Sequence, residues 1–115
     1  MLAKINLLVS LYRAFNTREI DAALSAMHPD VDWPNGMEGG RVHGREAVRD
    51  YWINQWKAVD SYAEPVKFSI DQTGHIIIDV HIKVLDLKGS ILVDQNVQHV
   101  YDIRDDLIVK MDIRS

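Results

Sequence analysis

The chain has 115 residues, 47% hydrophobic and 26% charged, which suits one domain, residues 1–115, around one core. A net charge of −4 leaves no basic footprint for nucleic acid or an anionic membrane surface. The absence of cysteine excludes disulfides, thiolate nucleophiles and thiolate metal sites, and a reducing cytoplasm is the expected compartment.

The start, Met1-Leu2-Ala3-Lys4-Ile5, leads into an amphipathic pattern and not into the succession of a signal peptide. No run reaches the ~18 apolar residues that span a bilayer. Residues 2–15 are predicted as a helix, with Leu7, Leu8, Leu11, Tyr12 and Phe15 along one side. Asn16-Thr17 ends it, and Thr17, with Glu19 nearby, is placed to cap a second helix over about residues 18–27. Its Ile20, Ala23, Leu24 and Met27 share a face, and Pro29 stops it, because proline disfavours helix at the residue before it. Val31-Asp32-Trp33 reads as a short strand, and residues 34–44, with Gly36, Gly39, Gly40 and Gly44, read as a loop.

Gly44-Arg45-Glu46 opens a third helix, with Val48, Tyr51, Trp52, Gln55, Trp56 and Val59 on one side. Residues 64–72 alternate Val66, Phe68 and Ile70 with Lys67, Ser69 and Asp71, the period of a strand. Two long alternating runs, 74–87 and 90–104, flank a Lys88-Gly89 turn and form a hairpin. Placing Leu87 opposite Ser90 fixes the pairing along the ladder. Ile76, Ile78, Val80, Ile82 and Val84 then share a face with Ile91, Val93, Gln95, Val97, His99, Tyr101 and Ile103. His75, Asp79, His81 and Lys83 share the other with Asp94, Asn96, Gln98 and Asp102, Lys83 facing Asp94 as an ion pair. A last strand, 107–113, sets Leu107, Val109, Met111 and Ile113 on one face and Ile108, Lys110 and Asp112 on the other. Helices first and antiparallel strands after suggest an α+β domain, with the helices on one face of a curved sheet.

Tyr12-Arg13-Ala14-Phe15-Asn16, Ile20-Asp21-Ala22-Ala23-Leu24, His28-Pro29-Asp30-Val31-Asp32-Trp33 and His43-Gly44-Arg45-Glu46-Ala47-Val48 occur in that order. Their spacing resembles the SnoaL-like branch of the nuclear transport factor 2-like superfamily, which includes ketosteroid isomerase, along nearly the whole chain. The resemblance implies a cone, in which a curved antiparallel sheet wraps three N-terminal helices and leaves an apolar pocket at the open end. It also implies dimerisation, often through the outer sheet face. These words mark the fold and not a reaction. The ketosteroid isomerase base is an aspartate just before a proline, and here Trp33 precedes Pro34 while Asp32 has the opposite strand parity. The oxyanion-acid position of that enzyme falls on His99, and its oxyanion tyrosine falls on Leu11, beside Tyr12.

Gln95 and His99 are the polar side chains on an otherwise apolar face, where an unpaired polar group costs roughly 1–3 kcal/mol. His99 is therefore the candidate acid or base, with Gln95 to orient it or to bind a carbonyl, set against a purely structural hydrogen-bonding role. Trp33, Tyr12, Tyr51, Trp52 and Trp56 are candidates for an aromatic wall, set against ordinary core, and Asn35 for a hydrogen bond at the pocket mouth, set against a plain turn role. Asp79 and His81 read as outer surface in preference to a metal site. The apolar Ile77, Leu85, Leu87, Leu92 and Val100 among them suggest a partner subunit. The expected function is binding of a small hydrophobic molecule, with cofactor-free isomerase, cyclase, dehydratase or hydrolase chemistry through the pocket histidine. The alternative is a non-catalytic binding or dimeric assembly module. No cofactor or metal is expected.

Overall fold

Leu8, Leu11, Tyr12 and Ala14 recur at helical spacing and are the buried residues of α1 (Leu2–Asn16) in the computed structural model, which describes residues 2–114. Met1 and Ser115, the ends of the expected single domain, lie outside the described residues. Thr17 does not cap the next helix. Its Oγ1 lies 2.9 Å from the carbonyl of Arg13 and so satisfies the end of α1, with Glu19 Oε2 2.6 Å away. The second helix, α2 (Ile20–Leu24), is shorter than the periodicity predicts. Met27 leaves it for a strand, where it pairs with Ile108 and is fully buried.

That strand, β1 (Met27–Pro34), is longer than the predicted Val31-Asp32-Trp33. Pro29 fits within it because the pairing of β1 is interrupted between Met27 and Asp32, so no ladder N–H is needed there. A short β2 (Arg41–His43) emerges from the predicted glycine loop and pairs with β1. Gly44 then turns the chain into α3 (Arg45–Ala58) at φ +88, donating its N–H to Val31 O at 2.7 Å. A Cβ there would lie 3.4 Å from Pro29 O, so both conformation and close approach favour glycine. No helix among the described residues is long and apolar enough to cross a membrane.

The remaining strands are β3 (Asp60–Ile70), β4 (Ile76–Leu85), β5 (Ile91–Arg104) and β6 (Leu107–Arg114). With β1 and β2 they make one curled, unclosed six-stranded sheet in the order β2-β1-β6-β5-β4-β3. The α+β cone is as expected, with one refinement: β1 and β6 pair in parallel, and the other neighbours pair antiparallel.

The β4–β5 register matches the reading of alternation, from Ile76 opposite Tyr101 to Val84 opposite Val93. Each long strand pair also carries a one-residue bulge that a strict period of two does not contain. On β3, Val66 is the extra residue between Pro65 and Lys67, and it is exposed, apart from Phe68. On β5, Leu92 is extra, so Ile91 and not Leu92 stands opposite Leu85. On β6, Val109 is extra, so Ile108 turns inward to pair with Ile103 and is fully buried. Such insertions bend and twist a sheet, which is how this one curls around α1 and α3. The hairpin tip is one residue longer than a Leu87–Ser90 pair would make it: Asp86 N–H donates to Ser90 O at 2.8 Å, and Asp86 Oδ1 accepts the N–H groups of Lys88 and Ser90, both at 2.9 Å.

Ile78, Val80, Val31 and Leu8 are fully buried in the solid part of the core. Beyond it the core gives way to a hollow.

Candidate functional site

A cavity of about 570 Å³ lies between the concave sheet and the helices. Its wall is apolar and aromatic, and none of its described lining residues is aspartate, glutamate, lysine or arginine. Trp33 from β1 and Trp52 from α3 meet edge to face, with centroids 5.7 Å apart at 86°, and both line it.

The polar centre is a chain of three side chains. Tyr12 Oη on α1 lies 2.7 Å from His99 Nδ1 and 2.7 Å from Tyr101 Oη, both on β5. The alternation of β5 puts His99 and Tyr101 on the same inward face, and the helical stripe of α1 brings Tyr12 over them. The Tyr12 and His99 rings are nearly parallel, at 14°. All three residues are buried.

Each direction of this chain leaves one proton without an acceptor, and burial favours the direction that leaves it nearest the hollow. If His99 Nδ1–H donated to Tyr12, Tyr12 would donate to Tyr101, and the fully buried Tyr101 hydroxyl would keep a proton with no acceptor. That costs roughly 1–3 kcal/mol. In the reverse direction Tyr101 donates to Tyr12, Tyr12 donates to Nδ1, and every proton inside the chain has an acceptor. The proton of the imidazole then sits on Nε2. That nitrogen has no hydrogen-bond partner among the described residues and is not sealed from solvent, and His99 lines the cavity. Nε2–H is thus a donor offered to whatever fills the hollow.

Burial sets the protonation states. It lowers the His99 pKa to about 4, so the ring is neutral at pH 7. Burial also raises the pKa of both Tyr12 and Tyr101, which holds both phenols protonated. The site therefore offers a neutral N–H and not a poised imidazolium.

The other sequence candidates divide. Gln95 lies on the predicted face and lines the cavity, but it is exposed toward the mouth. It makes no side-chain hydrogen bond among the described residues, so Tyr12 and not Gln95 orients His99. Tyr51 lines the cavity half-buried, its Oη accepting the N–H of Gly36 at 3.0 Å. Asn35 does not line the cavity, because its Oδ1 is used by the N–H groups of Met37 and Glu38 in its own turn. Trp56 does not line it either. It sits behind Phe15, with centroids 5.3 Å apart, and Arg18 lies 4.8 Å over its ring.

On the outer face Asp94 pairs with His81 at 2.5 Å and not with the facing Lys83, while Asp79 accepts from Gln98 at 2.9 Å. The reading from sequence missed Tyr101 as a working group. Its signal was available, since it shares the face of His99 two residues on and a helical tyrosine stands opposite. Leu92, expected on the outer face, lines the cavity through its bulge.

The model of a family described as the SnoaL-like domain matches residues 8–111. No curated protein matches the chain. Among solved structures, an NTF2-like protein of unknown function from Burkholderia pseudomallei is 22% identical with a TM-score of 0.85, covering 99% of this chain and 91% of that one. TerC, co-crystallized with polyporic acid, is 25% identical with a TM-score of 0.83, over 96% of this chain and 89% of its own. RV0760c from Mycobacterium tuberculosis, in complex with estradiol-17beta-hemisuccinate, is 15% identical with a TM-score of 0.80, over 95% and 90%.

Proposed function

The chain belongs to the SnoaL-like domain family, and from that premise we propose that its cavity binds a small hydrophobic molecule by one carbonyl or hydroxyl oxygen, which accepts the Nε2–H of His99. The direction of the Tyr101–Tyr12–His99 chain carries this reading. Each hydroxyl that donates to the next group strengthens the donor beyond it, and the strongest effect falls on the free N–H. The aromatic wall supplies the apolar contact area, and a few convergent polar groups in such a wall are the usual form of a small-molecule site. The ligands of TerC and RV0760c support a small-molecule role for this fold.

The second reading is turnover, as a cofactor-free isomerase or lyase, and the unpaired Nε2–H at the cavity favours it. An oxygen held there would be stabilised as it gained charge during loss of a neighbouring proton. His99 would act by polarising that oxygen. Complete proton delivery along the chain would leave a buried tyrosinate, which the raised pKa of Tyr101 opposes. A base would have to come from outside the described cavity lining, which holds no carboxylate. The proposal extends to a second copy of the chain across the outer sheet face, supported by Ile77 and Leu85, which lie only half-buried among its polar side chains.

Nitrogen-15 spectra of the histidine rings test the central claim. For His99 the expected result is a bare Nδ1 and a protonated Nε2 from pH 8 down to pH 6, with 1-tetralone shifting Nε2. A ring protonated on Nδ1, or an imidazolium at pH 7, would overturn it.

A further inference from the structure

A second set of polar groups lines the cavity, away from the His99 chain. Ser61 Oγ on β3 donates to Gln55 Oε1 on α3 at 2.9 Å, and Gln55 Nε2 approaches Tyr51 Oη at 3.4 Å. Gly36 N–H donates to the same Oη at 3.0 Å. Flipping the Gln55 amide would give the Tyr51 hydroxyl an acceptor but strand the more deeply buried Ser61 hydroxyl, so burial favours the orientation that leaves the spare proton on the half-buried Tyr51. Tyr51 Oη thus receives two hydrogens and gives its own to no acceptor among the described residues. Burial, the largest influence on this phenol, raises its pKa and keeps that proton in place.

Tyr51, Gln55, Ser61 and His99 all line the one cavity. Two hydrogen-bond relays therefore converge on it from different walls, and each ends in an unused donor. No charged group stands between them among the described lining residues. An anionic ligand would find no cation there, and an ammonium no carboxylate.

We propose that the natural ligand is an uncharged, mainly apolar molecule with two separate acceptor oxygens, one for His99 Nε2–H and one for Tyr51 O–H, as in a diketone, a quinone or a hydroxyketone. This rests on the binding reading above and names the ligand class it takes. Tyr51 is then a specificity-determining residue, because a ligand with only one oxygen leaves a donor unpaired in the hollow.

The test is calorimetric titration of the wild-type chain, Tyr51→Phe and His99→Ala with two matched probe pairs. One pair has close oxygens, 1-tetralone and 4-hydroxy-1-tetralone, and the other distant oxygens, androstan-17-one and androstane-3,17-dione. For at least one pair the two-oxygen probe binds the wild-type chain more tightly. Tyr51→Phe lowers that affinity by roughly two- to tenfold, the effect of one neutral hydrogen bond, and leaves the one-oxygen probe unchanged. His99→Ala weakens both members of the pair. Loss of the Gly36 N–H acceptor in Tyr51→Phe is a structural effect and would weaken both alike, so equal losses overturn the two-donor proposal and leave the His99 reading intact. If no probe binds the wild-type chain, both readings fail.

Discussion

Replacing Tyr12 by phenylalanine removes one oxygen and strands two buried groups. His99 Nδ1 loses its donor and the Tyr101 hydroxyl loses its acceptor. At roughly 1–3 kcal/mol for each stranded group, Tyr12→Phe costs about 2–6 kcal/mol of folding stability. Tyr101→Phe is milder, about 1 kcal/mol, because Tyr12 loses one incoming bond and keeps its outgoing one. The double variant strands only His99 Nδ1, so adding Tyr101→Phe to Tyr12→Phe restores roughly 1–3 kcal/mol. Equilibrium urea unfolding of the four proteins, followed by tryptophan fluorescence and far-ultraviolet circular dichroism, completes the cycle. Costs that add to within about 0.5 kcal/mol would refute a directed chain through Tyr12.

The depressed pKa of His99 makes stability depend on pH, with a definite sign. The unfolded ring takes up a proton near pH 6.5, and the folded ring takes one up only near pH 4. This contribution is therefore complete above pH 6.5 and is lost as pH falls toward 4, by about 3 kcal/mol in all. Surface carboxylates titrate in part of that window, so the measurement is the difference between wild type and His99→Gln, and identical pH slopes would contradict the burial argument. For assembly, sedimentation velocity at micromolar concentration is expected to show a dimer that Ile77→Lys weakens. A monomer across that range would discard the outer-face interface.

The hairpin was legible because side-chain alternation has no slack in it. A slip of one residue would have sent Ile78 and Val80 to solvent, so the pairing from Ile76–Tyr101 to Val84–Val93 follows from the pattern. The inward positions of Tyr12, His99, Trp33 and Trp52 follow from the same periodicities. The bulges were not legible, since Val66, Leu92 and Val109 are ordinary strand residues and their displacement is set by the curvature of the whole sheet. That explains why Ile108 was assigned to the wrong face. Thr17 as a helix cap, and the choice at Asn35 between turn and ligand, were beyond the sequence for another reason. Their side chains bond locally in more than one way, and sequence does not choose between the end of one helix and the start of the next, or between a turn and a ligand. The direction of the hydrogen-bond chain was likewise out of reach, because it depends on which buried proton would be left without an acceptor.

The extra residue at Leu92 separates the hairpin tip from the ladder beneath it. A chain lengthened or shortened by one residue beyond that point can absorb the change there without turning His99 outward. The rim can therefore be recut while the His99 imidazole keeps its aim into the hollow.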